Sequence, residues 1–357
     1  MTERWLDVFA GPEALARLRD GSLVPDEVGL VPGASGGPKW FVLYGLDRAL
    51  WSEFFVGRAS ALHLVGSSAG SWRFAAACQD QPLVALERFE RAYRSQRFPP
   101  GPPAELVTAV AMRTMDEILG SHGTAEILAQ PVRRLAIVVN RLRRVPATAA
   151  LRRQYAELAK AAAFNLASRR LLGRFVERVV FHVGEPGPLS VLDGLPTTYV
   201  PLTADNLRPA LLASGSIPRV MAPVRDIPGA GPGIYYDGGI TDYHFAHAFP
   251  ETDGLVLMPH FYPHLVPGWF DKLAPWRRPG RALERTVVLA PSAAFLRRLP
   301  HGKIPDRNDF LKLADEDRER YWRKAVDESR RLGETFLELV AGKRLGTVAK
   351  SLGLRKH

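Results

Sequence analysis

The sequence has very little cysteine and no long apolar run. Its 357 residues include one cysteine, Cys78, so a disulfide within the chain and a zinc site built on thiolates are both excluded. No apolar segment reaches the roughly 20 residues that a membrane-spanning helix needs. Residues 1–21 carry Glu3, Asp7 and Glu13 and lack the unbroken apolar core of a signal peptide. We therefore expect a cytoplasmic protein.

Basic residues exceed acidic ones, with 48 Lys and Arg against 37 Asp and Glu and a formal net charge of +11. This excess indicates a phosphate-rich partner, either a nucleic acid or an anionic lipid surface. The chain has no helix-turn-helix, zinc-finger or RNA-recognition motif, so we expect no nucleic acid. It also has no spacing of ligands typical of a metal site. We expect neither a metal nor a cofactor.

Apolar runs alternate with segments of helical periodicity along most of the chain. Predicted strands lie at 28–31, 61–65, 135–139, 179–183, 198–202 and 255–258, and predicted helices at 72–78, 83–94, 104–119 and 149–172, with a charged helix at 309–340. Strands that alternate with helices favour a mostly parallel sheet covered on both faces. The predicted fold class is therefore α/β.

A glycine-flanked serine lies where a predicted strand turns into a predicted helix. Residues 66–70 are Gly-Ser-Ser-Ala-Gly, the G-x-S-x-G pattern of a nucleophile elbow. A serine at such a turn has a strained backbone, and Gly66 and Gly70 leave room for it. The start of the next helix places partial positive charge beside a developing oxyanion. We predict that Ser68 is a nucleophile.

A second glycine loop, at 33–39, joins a predicted strand to an amphipathic helix expected from Lys39. Its sequence, Gly-Ala-Ser-Gly-Gly-Pro-Lys, fits neither the G-x-x-x-x-G-K-[ST] nor the G-x-G-x-x-G phosphate-binding pattern. Consecutive glycine N–H groups can instead hold the oxyanion of a tetrahedral intermediate. Because Pro38 has no N–H, the candidate donors are Gly36 and Gly37.

Two more segments lie downstream. Residues 213–223 begin Ala-Ser-Gly-Ser-Ile-Pro, and residues 235–239 are Tyr-Tyr-Asp-Gly-Gly. A carboxylate at Asp237 can take the proton of a serine hydroxyl if the two groups lie within hydrogen-bond distance. Gly238 and Gly239 let the backbone turn so that the carboxylate points at Ser68. An Asp-Gly pair on its own is more often an ordinary turn.

These segments together resemble the patatin-like phospholipase family, over about residues 28–243. The family pattern is a glycine-rich oxyanion loop with Arg or Lys, a G-x-S-x-G serine, an A-S-x-x-x-P segment and an Asp-Gly-Gly, in this order. The resemblance implies a three-layer α/β sandwich with a mostly parallel central sheet. It also implies hydrolysis of lipid acyl esters without a metal.

The resemblance also implies roles for single residues. Ser68 is then the nucleophile and Asp237 the base of a Ser–Asp dyad. The oxyanion donors are Gly36 and Gly37, and the supporting motif is Ser35, Lys39, Gly66, Gly70, Gly238 and Gly239. Ser35 and Trp40 stand where the family usually has glycine. The implied acyl-hydrolase domain covers residues 28–258, and residues 259–357 form a helical extension packed on it.

Two alternatives stay open. An α/β-hydrolase triad also uses G-x-S-x-G but needs a histidine, and His244, His247, His260, His264 and His301 all follow Asp237. A catalytically weak lipid- or acyl-binding protein could keep the elbow as a scaffold, and the departure at Trp40 favours this second alternative.

The segment 269–278, Trp-Phe-Asp-Lys-Leu-Ala-Pro-Trp-Arg-Arg, places aromatic rings beside cations. Such a mixture suits the headgroup region of a bilayer. We therefore expect peripheral contact with an anionic membrane through five side chains of this segment: Trp269, Lys272, Trp276, Arg277 and Arg278.

Overall fold

The computed structural model describes residues 4–21, 23–191, 193–274, 276–277 and 283–352. At its centre lies one sheet. Its strands within these residues are β1 (Leu6–Ala10), β2 (Val28–Gly33), β3 (Leu62–Ser67), β4 (Arg133–Leu142), β5 (Val176–His182), β6 (Thr197–Pro201), β7 (Val224–Arg225), β8 (Ile234–Asp237), β9 (Leu255–Pro259), β10 (Thr286–Pro291) and β11 (Lys350–Ser351). Their order is β11-β1-β10-β9-β2-β3-β4-β5-β6, and β8 pairs with β4 and with β7.

The middle of the sheet is parallel. Neighbouring strands run in the same direction from β10 through β9, β2 and β3 to β4. Antiparallel pairs join β1 to β10, β5 to β4 and β8 to both β4 and β7. Every residue of β3 is buried, as expected for a parallel strand covered on both faces. The predicted α/β class and the mostly parallel central sheet are confirmed.

Helices cover the sheet. They are α1 (Pro12–Asp20), α2 (Tyr44–Ala49), α3 (Ala69–Ala77), α4 (Pro82–Arg94), α5 (Ala104–Leu119), α6 (Gly123–Ala129), α7 (Leu151–Ala167), α8 (Arg169–Leu172), α9 (Ala204–Gly215), α10 (Ala293–Arg298), α11 (Asp309–Lys312), α12 (Asp315–Ala341) and α13 (Leu345–Val348). Short 3₁₀ helices lie at Pro25–Glu27, Gly37–Leu43, Gly187–Leu189, Gly238–Ile240, Trp269–Leu273 and Pro300–Gly302, and a π-helical turn lies at Leu50–Phe54.

The two faces of the sheet have different covers. Along β4, Leu135, Ile137 and Val139 pack into the large core beneath α1–α5, α9 and α12, whereas Ala136 and Val138 point to the other side. That second side is closed by α7, α8 and irregular segments such as 244–249. The arrangement is consistent with a three-layer sandwich.

Several predicted elements differ in detail from those observed. Helix α5 has the predicted bounds, but the helix expected at 149–172 is broken at Ser168, whose backbone is extended, into α7 and α8. The prediction of an α-helix from Lys39 is wrong. This part of the chain starts as the 3₁₀ helix Gly37–Leu43 and becomes α-helical only at Tyr44. The expected charged helix is divided into α11 and α12.

The sheet extends beyond the segment that the resemblance implied. Strand β10, which was not predicted, lies between β1 and β9, so that strands on both sides of residue 258 belong to one sheet. The domain bounds 28–258 and 259–357 stay a prediction. Within the described residues, no helix combines the length and the apolar character needed to cross a bilayer.

Candidate active site

Ser68 lies alone between the last residue of β3 and the first residue of α3. Its backbone has φ +53° and ψ −129°, which is a sparsely populated region for a residue with a side chain. A Cβ on Gly70 would lie 1.9 Å from the carbonyl oxygen of Gly33, and one on Gly66 would lie 2.4 Å from the nitrogen of Ser71. Both neighbours must therefore be glycine for this turn to close.

The register on β4 brings Asp237 to the elbow. Ser67, the last residue of β3, pairs with Val138, and Asp237, the last residue of β8, pairs with the next residue, Val139. The ends of β3 and β8 therefore meet at consecutive positions of one strand. Ser68 and Asp237 line the same cavity, although 168 residues separate them in the sequence.

The carboxyl group of Asp237 is held on one side and open on the other. Oδ1 accepts the Gly239 N–H at 2.7 Å, with the Ser35 hydroxyl farther away at 3.5 Å. Among the described residues, Oδ2 forms no hydrogen bond, although it is buried. Burial raises the pKa of Asp237 to about 6, although the nearby Ser68 hydroxyl and the Gly239 N–H favour the ionised form. Oδ2 is thus the oxygen available to receive a proton.

The glycine loop lies against the same cavity. Gly36, Gly37, Ser35 and Lys39 all line it, and Gly37 has φ +53°, a conformation that favours glycine. Neither Gly36 nor Gly37 donates its N–H to another described residue. Trp40, which stands in the place of a family glycine, points away and stacks on Phe89 at 4.3 Å between ring centres. The loop therefore keeps two free donors beside Ser68.

The segment around Ser214 braces both members of the candidate dyad. Ser214 Oγ accepts the Ser68 N–H at 2.9 Å and donates to the carbonyl of Val138 at 2.7 Å. The carbonyl of Ser216 accepts the Asp237 N–H at 3.0 Å. Sequence analysis included Ser214 in the A-S-x-x-x-P segment but gave it no role.

Asn140 is a second residue that sequence analysis missed. Its Nδ2 donates to the carbonyls of Asp237 and Gly238 at 2.8 and 3.0 Å, and its Oδ1 accepts the Thr241 hydroxyl at 2.8 Å. The signal in the sequence that could have identified it is an asparagine directly after the apolar run 135–139, and the structure buries its amide completely. Asn140 fixes the turn that follows Asp237.

Two cavities meet at Ser68. The polar one has a volume of about 340 Å³ and contains the glycine loop, Asp237 and three cations, Lys39, Lys272 and Arg307. The other, of about 420 Å³, is mainly apolar. Its apolar lining includes Trp72, Phe98, Val107, Ala111, Val220, Met221, Phe310 and Leu311. Ser68, Gly37, Tyr93 and Arg307 line both cavities, so an ester at Ser68 has a polar and an apolar space beside it.

The predicted membrane-contact segment, residues 269–278, is only partly exposed where the structure describes it. Trp276 is 65% exposed, whereas Trp269 is half-buried and lines the polar cavity. Arg277 forms an ion pair with the buried Asp271 at 2.7 Å, and the ammonium of Lys272 lies 4.0 Å from the centre of the Tyr243 ring. Arg278 lies outside the described residues.

No histidine among the described residues lines either cavity. His244 and His260 are buried: His244 Nδ1 accepts the Val266 N–H at 3.1 Å, and His260 Nδ1 donates to the carbonyl of Tyr262 at 2.6 Å. His247 lies beside Asp242 at 3.4 Å, and His301 packs against Tyr321. The geometry gives no support to a Ser-Asp-His triad.

Asp193, Asp242 and His247 bring their polar atoms within 4.8 Å of one another, as in a metal site. The Arg178 guanidinium, however, contacts both aspartates at 2.6 Å. It lowers the pKa of Asp242 against the effect of burial. We describe this cluster as a buried ion-pair network, and it lines neither of the two cavities.

No protein-family model matches the chain. No curated protein matches it in sequence. Among solved structures, it shows a distant similarity to VipD from Legionella pneumophila, with a TM-score of 0.36 and 13% identity, over 94% of this chain and 72% of that chain. The candidate site is defined by the geometry of its own residues.

Proposed function

We propose that this chain is a serine acyl-ester hydrolase that acts on lipid esters, as a phospholipase or lipid acyl hydrolase. One observation carries the proposal: a serine with positive φ at a strand-to-helix turn lies beside a buried aspartate with an open oxygen. Strained backbone at a cleft is typical of functional sites. The resemblance in the sequence motifs supports the same class of reaction.

In the proposed reaction, Ser68 Oγ attacks the ester carbonyl while Asp237 takes its proton. Gly36 and Gly37 donate their N–H groups to the oxyanion that forms. The alcohol leaves with a proton returned by Asp237, and the acyl group stays on Ser68. Asp237 then takes a proton from water as the water attacks the acyl-enzyme, and it returns this proton to Ser68 Oγ as the bond to the acyl group breaks and the acid is released.

The apolar cavity supports a lipid substrate. Each methylene that moves from water into such a cavity contributes about 0.8 kcal/mol, so a long acyl chain gains far more than an acetyl group. Val107 and Ala111 on α5 and Met221 after α9 form part of this lining. We assign the cavity to the acyl chain.

Peripheral contact with an anionic membrane is part of the proposal. Leu273 and Trp276, which follow the cavity residue Lys272 in the sequence, are 72% and 65% exposed, and Leu311, which lines the apolar cavity, is 79% exposed. Exposed apolar side chains around a cleft, on a chain with a net charge of +11, suit an anionic lipid surface. The contact would place the cleft at the membrane.

The test of the hydrolase is a panel of esters from short nitrophenyl esters to intact phospholipids, assayed with the full chain. We expect turnover that rises with acyl length and is lost in Ser68→Ala. Ser121→Ala, which changes an exposed serine away from both cavities, serves as the control and should keep it. Absence of turnover on every ester, together with retained binding of fatty acids, would favour the acyl-binding alternative.

The test of membrane contact is co-sedimentation with vesicles. Binding should be stronger to anionic than to neutral vesicles, and it should weaken as salt is added. Trp276→Ala should reduce it, whereas Val56→Ala, which alters another exposed apolar residue, should not. Equal binding to both vesicle types at low salt would contradict this part of the proposal.

A further inference from the structure

Three cations from separate parts of the chain converge on the polar cavity. Lys39 belongs to the 3₁₀ helix after β2, Lys272 to the 3₁₀ helix Trp269–Leu273, and Arg307 to the loop before α11. Sequence analysis placed Lys39 in the glycine loop and Lys272 in the predicted membrane-contact segment 269–278, and it did not single out Arg307. The fold therefore concentrates positive charge beside Ser68 in a way that no single segment reveals.

These cations lack acidic partners. Within the part of the chain that the structure describes, none of the three forms a salt bridge, whereas the nearby Lys303 pairs with Asp306 at 3.1 Å and with Asp309 at 2.6 Å. The acidic residues that line the cavity are Asp306, already paired with Lys303, and Asp237. Positive charge is in excess there even when both carboxylates are ionised.

The three cations also repel one another, and this repulsion favours the uncharged form of the Lys272 amine. Partial burial, together with Lys39 and Arg307, lowers the pKa of Lys272 to about 8. The Lys272 side chain reaches the protein surface, but its ammonium end lies over the Tyr243 ring. Unpaired cations held close together are costly in the absence of an anion. An anion in the cavity would remove this repulsion.

The position of the cations relative to Ser68 defines where the anion would lie. The two cavities share Ser68 and Arg307. Arg219 lines only the apolar cavity, whose lining is otherwise mainly apolar, whereas Lys39 and Lys272 line only the polar one. An ester with its acyl chain in the apolar cavity therefore directs its alcohol part toward the cations. The anionic group would belong to the alcohol that leaves, not to the acid.

We propose that Lys272 and Arg307, with Lys39, bind a phosphate group on the alcohol part of the substrate, so that the chain selects anionic acyl esters. This inference rests on the proposed function for the orientation of the ester. The anion site itself is independent of turnover. Free phosphate and a phosphate attached to an apolar chain share the same chemistry, and the experiment separates them.

The first arm measures binding to the full chain carrying Ser68→Ala. Octyl phosphate, octyl glucoside and inorganic phosphate are titrated at pH 7 by calorimetry. Octyl phosphate should bind at least tenfold more tightly than octyl glucoside. Adding Lys272→Gln or Arg307→Gln should lower the affinity for octyl phosphate about ten- to hundredfold, because each removes a hydrogen bond to a charged group. Because Arg307 also lines the apolar cavity that would hold the octyl chain, the measured quantity is the ratio of the affinities for octyl phosphate and octyl glucoside, which both variants should lower about tenfold or more.

The control variant is Arg152→Gln on α7, which removes one positive charge from an exposed residue outside both cavities. This variant should leave the affinities for octyl phosphate and octyl glucoside unchanged. Inorganic phosphate should compete with octyl phosphate but bind more weakly, because it lacks the chain. Equal affinity for the two octyl compounds, unchanged affinity in both cavity variants, or inorganic phosphate binding as tightly as octyl phosphate would each overturn the proposal.

The second arm measures kcat/KM for two esters with the same acyl chain, one with a phosphate on its alcohol and one uncharged. The wild type should prefer the phosphate ester, and Lys272→Gln should lower that preference, measured as the ratio of the two kcat/KM values, about tenfold or more, whereas Arg152→Gln should leave the ratio unchanged. Turnover of both esters at equal rates would overturn the inference and leave the hydrolase intact. If neither ester is hydrolysed, the proposed hydrolase function is contradicted. The binding measurements of the first arm still test the anion site in that case.

Discussion

The hydroxyl of Ser214 accepts a hydrogen bond from the backbone N–H of Ser68 at 2.9 Å. The same hydroxyl contacts that of Ser71 at 2.8 Å and donates to the carbonyl of Val138. Because its single proton goes to Val138, Ser71 is the donor in the second contact. One buried side chain thus joins the strained turn, the first turn of α3 and strand β4.

Ser214→Ala should lower kcat more than it raises KM. The change leaves the Ser68 N–H and the Ser71 hydroxyl without a partner, so the turn loses its support, and we expect a destabilisation of about 1–3 kcal/mol. Ser216→Ala is the matched control, because among the described residues the Ser216 hydroxyl forms a hydrogen bond only with the carbonyl of Leu212. Steady-state kinetics and urea unfolding measure both effects. Equal results for the two variants would show that Ser214 has no special role.

Activity should rise with pH to a plateau, with a midpoint near the pKa of Asp237, about 6. Asp237 accepts a proton only when it is ionised, so kcat/KM falls as pH drops through this value. A histidine base would give a similar midpoint, but imidazole ionisation absorbs much more heat than carboxyl ionisation. With Asp237 as the base, the midpoint of the pH-rate profile should therefore stay nearly constant when the profile is recorded at several temperatures.

Histidine variants complete this test. Single Ala substitutions at five positions, His244, His247, His260, His264 and His301, should each keep most of the activity, because none of these side chains lines a cavity with Ser68. A triad histidine would instead cost several orders of magnitude when removed. A midpoint that shifts strongly with temperature, or one inactive and folded histidine variant, would contradict the dyad.

Asp237→Asn should make the folded chain more stable at pH 8. The folded-state pKa of Asp237 lies above its usual value of 3.8, so its contribution to stability is full below pH 4 and is lost as pH rises through about 6. At pH 8 the buried charge costs up to about 3 kcal/mol, from 1.36 kcal/mol per pKa unit. Urea unfolding at pH 8 and pH 5 checks this.

The free energy of unfolding of Asp237→Asn should exceed that of the wild type by less at pH 5 than at pH 8. Asp253→Asn, at an exposed aspartate, is the matched control and should show little change at either pH. An advantage that does not depend on pH would mean that the buried charge is not its source.

Ala111→Leu should shorten the acyl chains that the site accepts. Ala111 is buried on α5 and lines the apolar cavity, so the larger side chain occupies space meant for substrate. We expect kcat/KM for long-chain esters to fall about tenfold or more, from roughly 0.8 kcal/mol for each methylene displaced. Short esters should be hydrolysed as before.

Ala109→Leu, the same substitution on the exposed side of α5, should leave the chain-length profile unchanged. A profile that Ala111→Leu also leaves unchanged would show that the acyl chain binds elsewhere.

The sequence predicted the central sheet and the elbow well because both depend on local patterns. A buried strand such as β3 is a short apolar run, and Gly66 and Gly70 mark the tight turn around Ser68. Amphipathic periodicity identified α5 to the residue. In contrast, the chain after Gly37 winds first into a 3₁₀ helix, with the Trp40 ring stacked on Phe89, and this packing depends on a distant partner.

The rest of the site depends on contacts between distant segments. The membrane contact predicted for Lys272 came from its sequence neighbours alone, and those neighbours did not reveal that its ammonium lies over Tyr243 at the polar cavity. Arg307 was not identified, because nothing in its own segment distinguishes it from other charged loop residues. The support that Ser214 gives to Ser68 likewise depends on how β3 pairs with β4 and how α9 packs against them.

The most direct test of the central claim is labelling of the full chain with a fluorophosphonate, followed by mass spectrometry of its peptides. Only an activated serine reacts quickly with this probe, so the adduct should lie on Ser68 in the wild type. It should be absent in Ser68→Ala and form far more slowly in Asp237→Asn. No adduct on Ser68 in the folded wild type, or an equal rate in Asp237→Asn, would contradict the Ser68–Asp237 dyad.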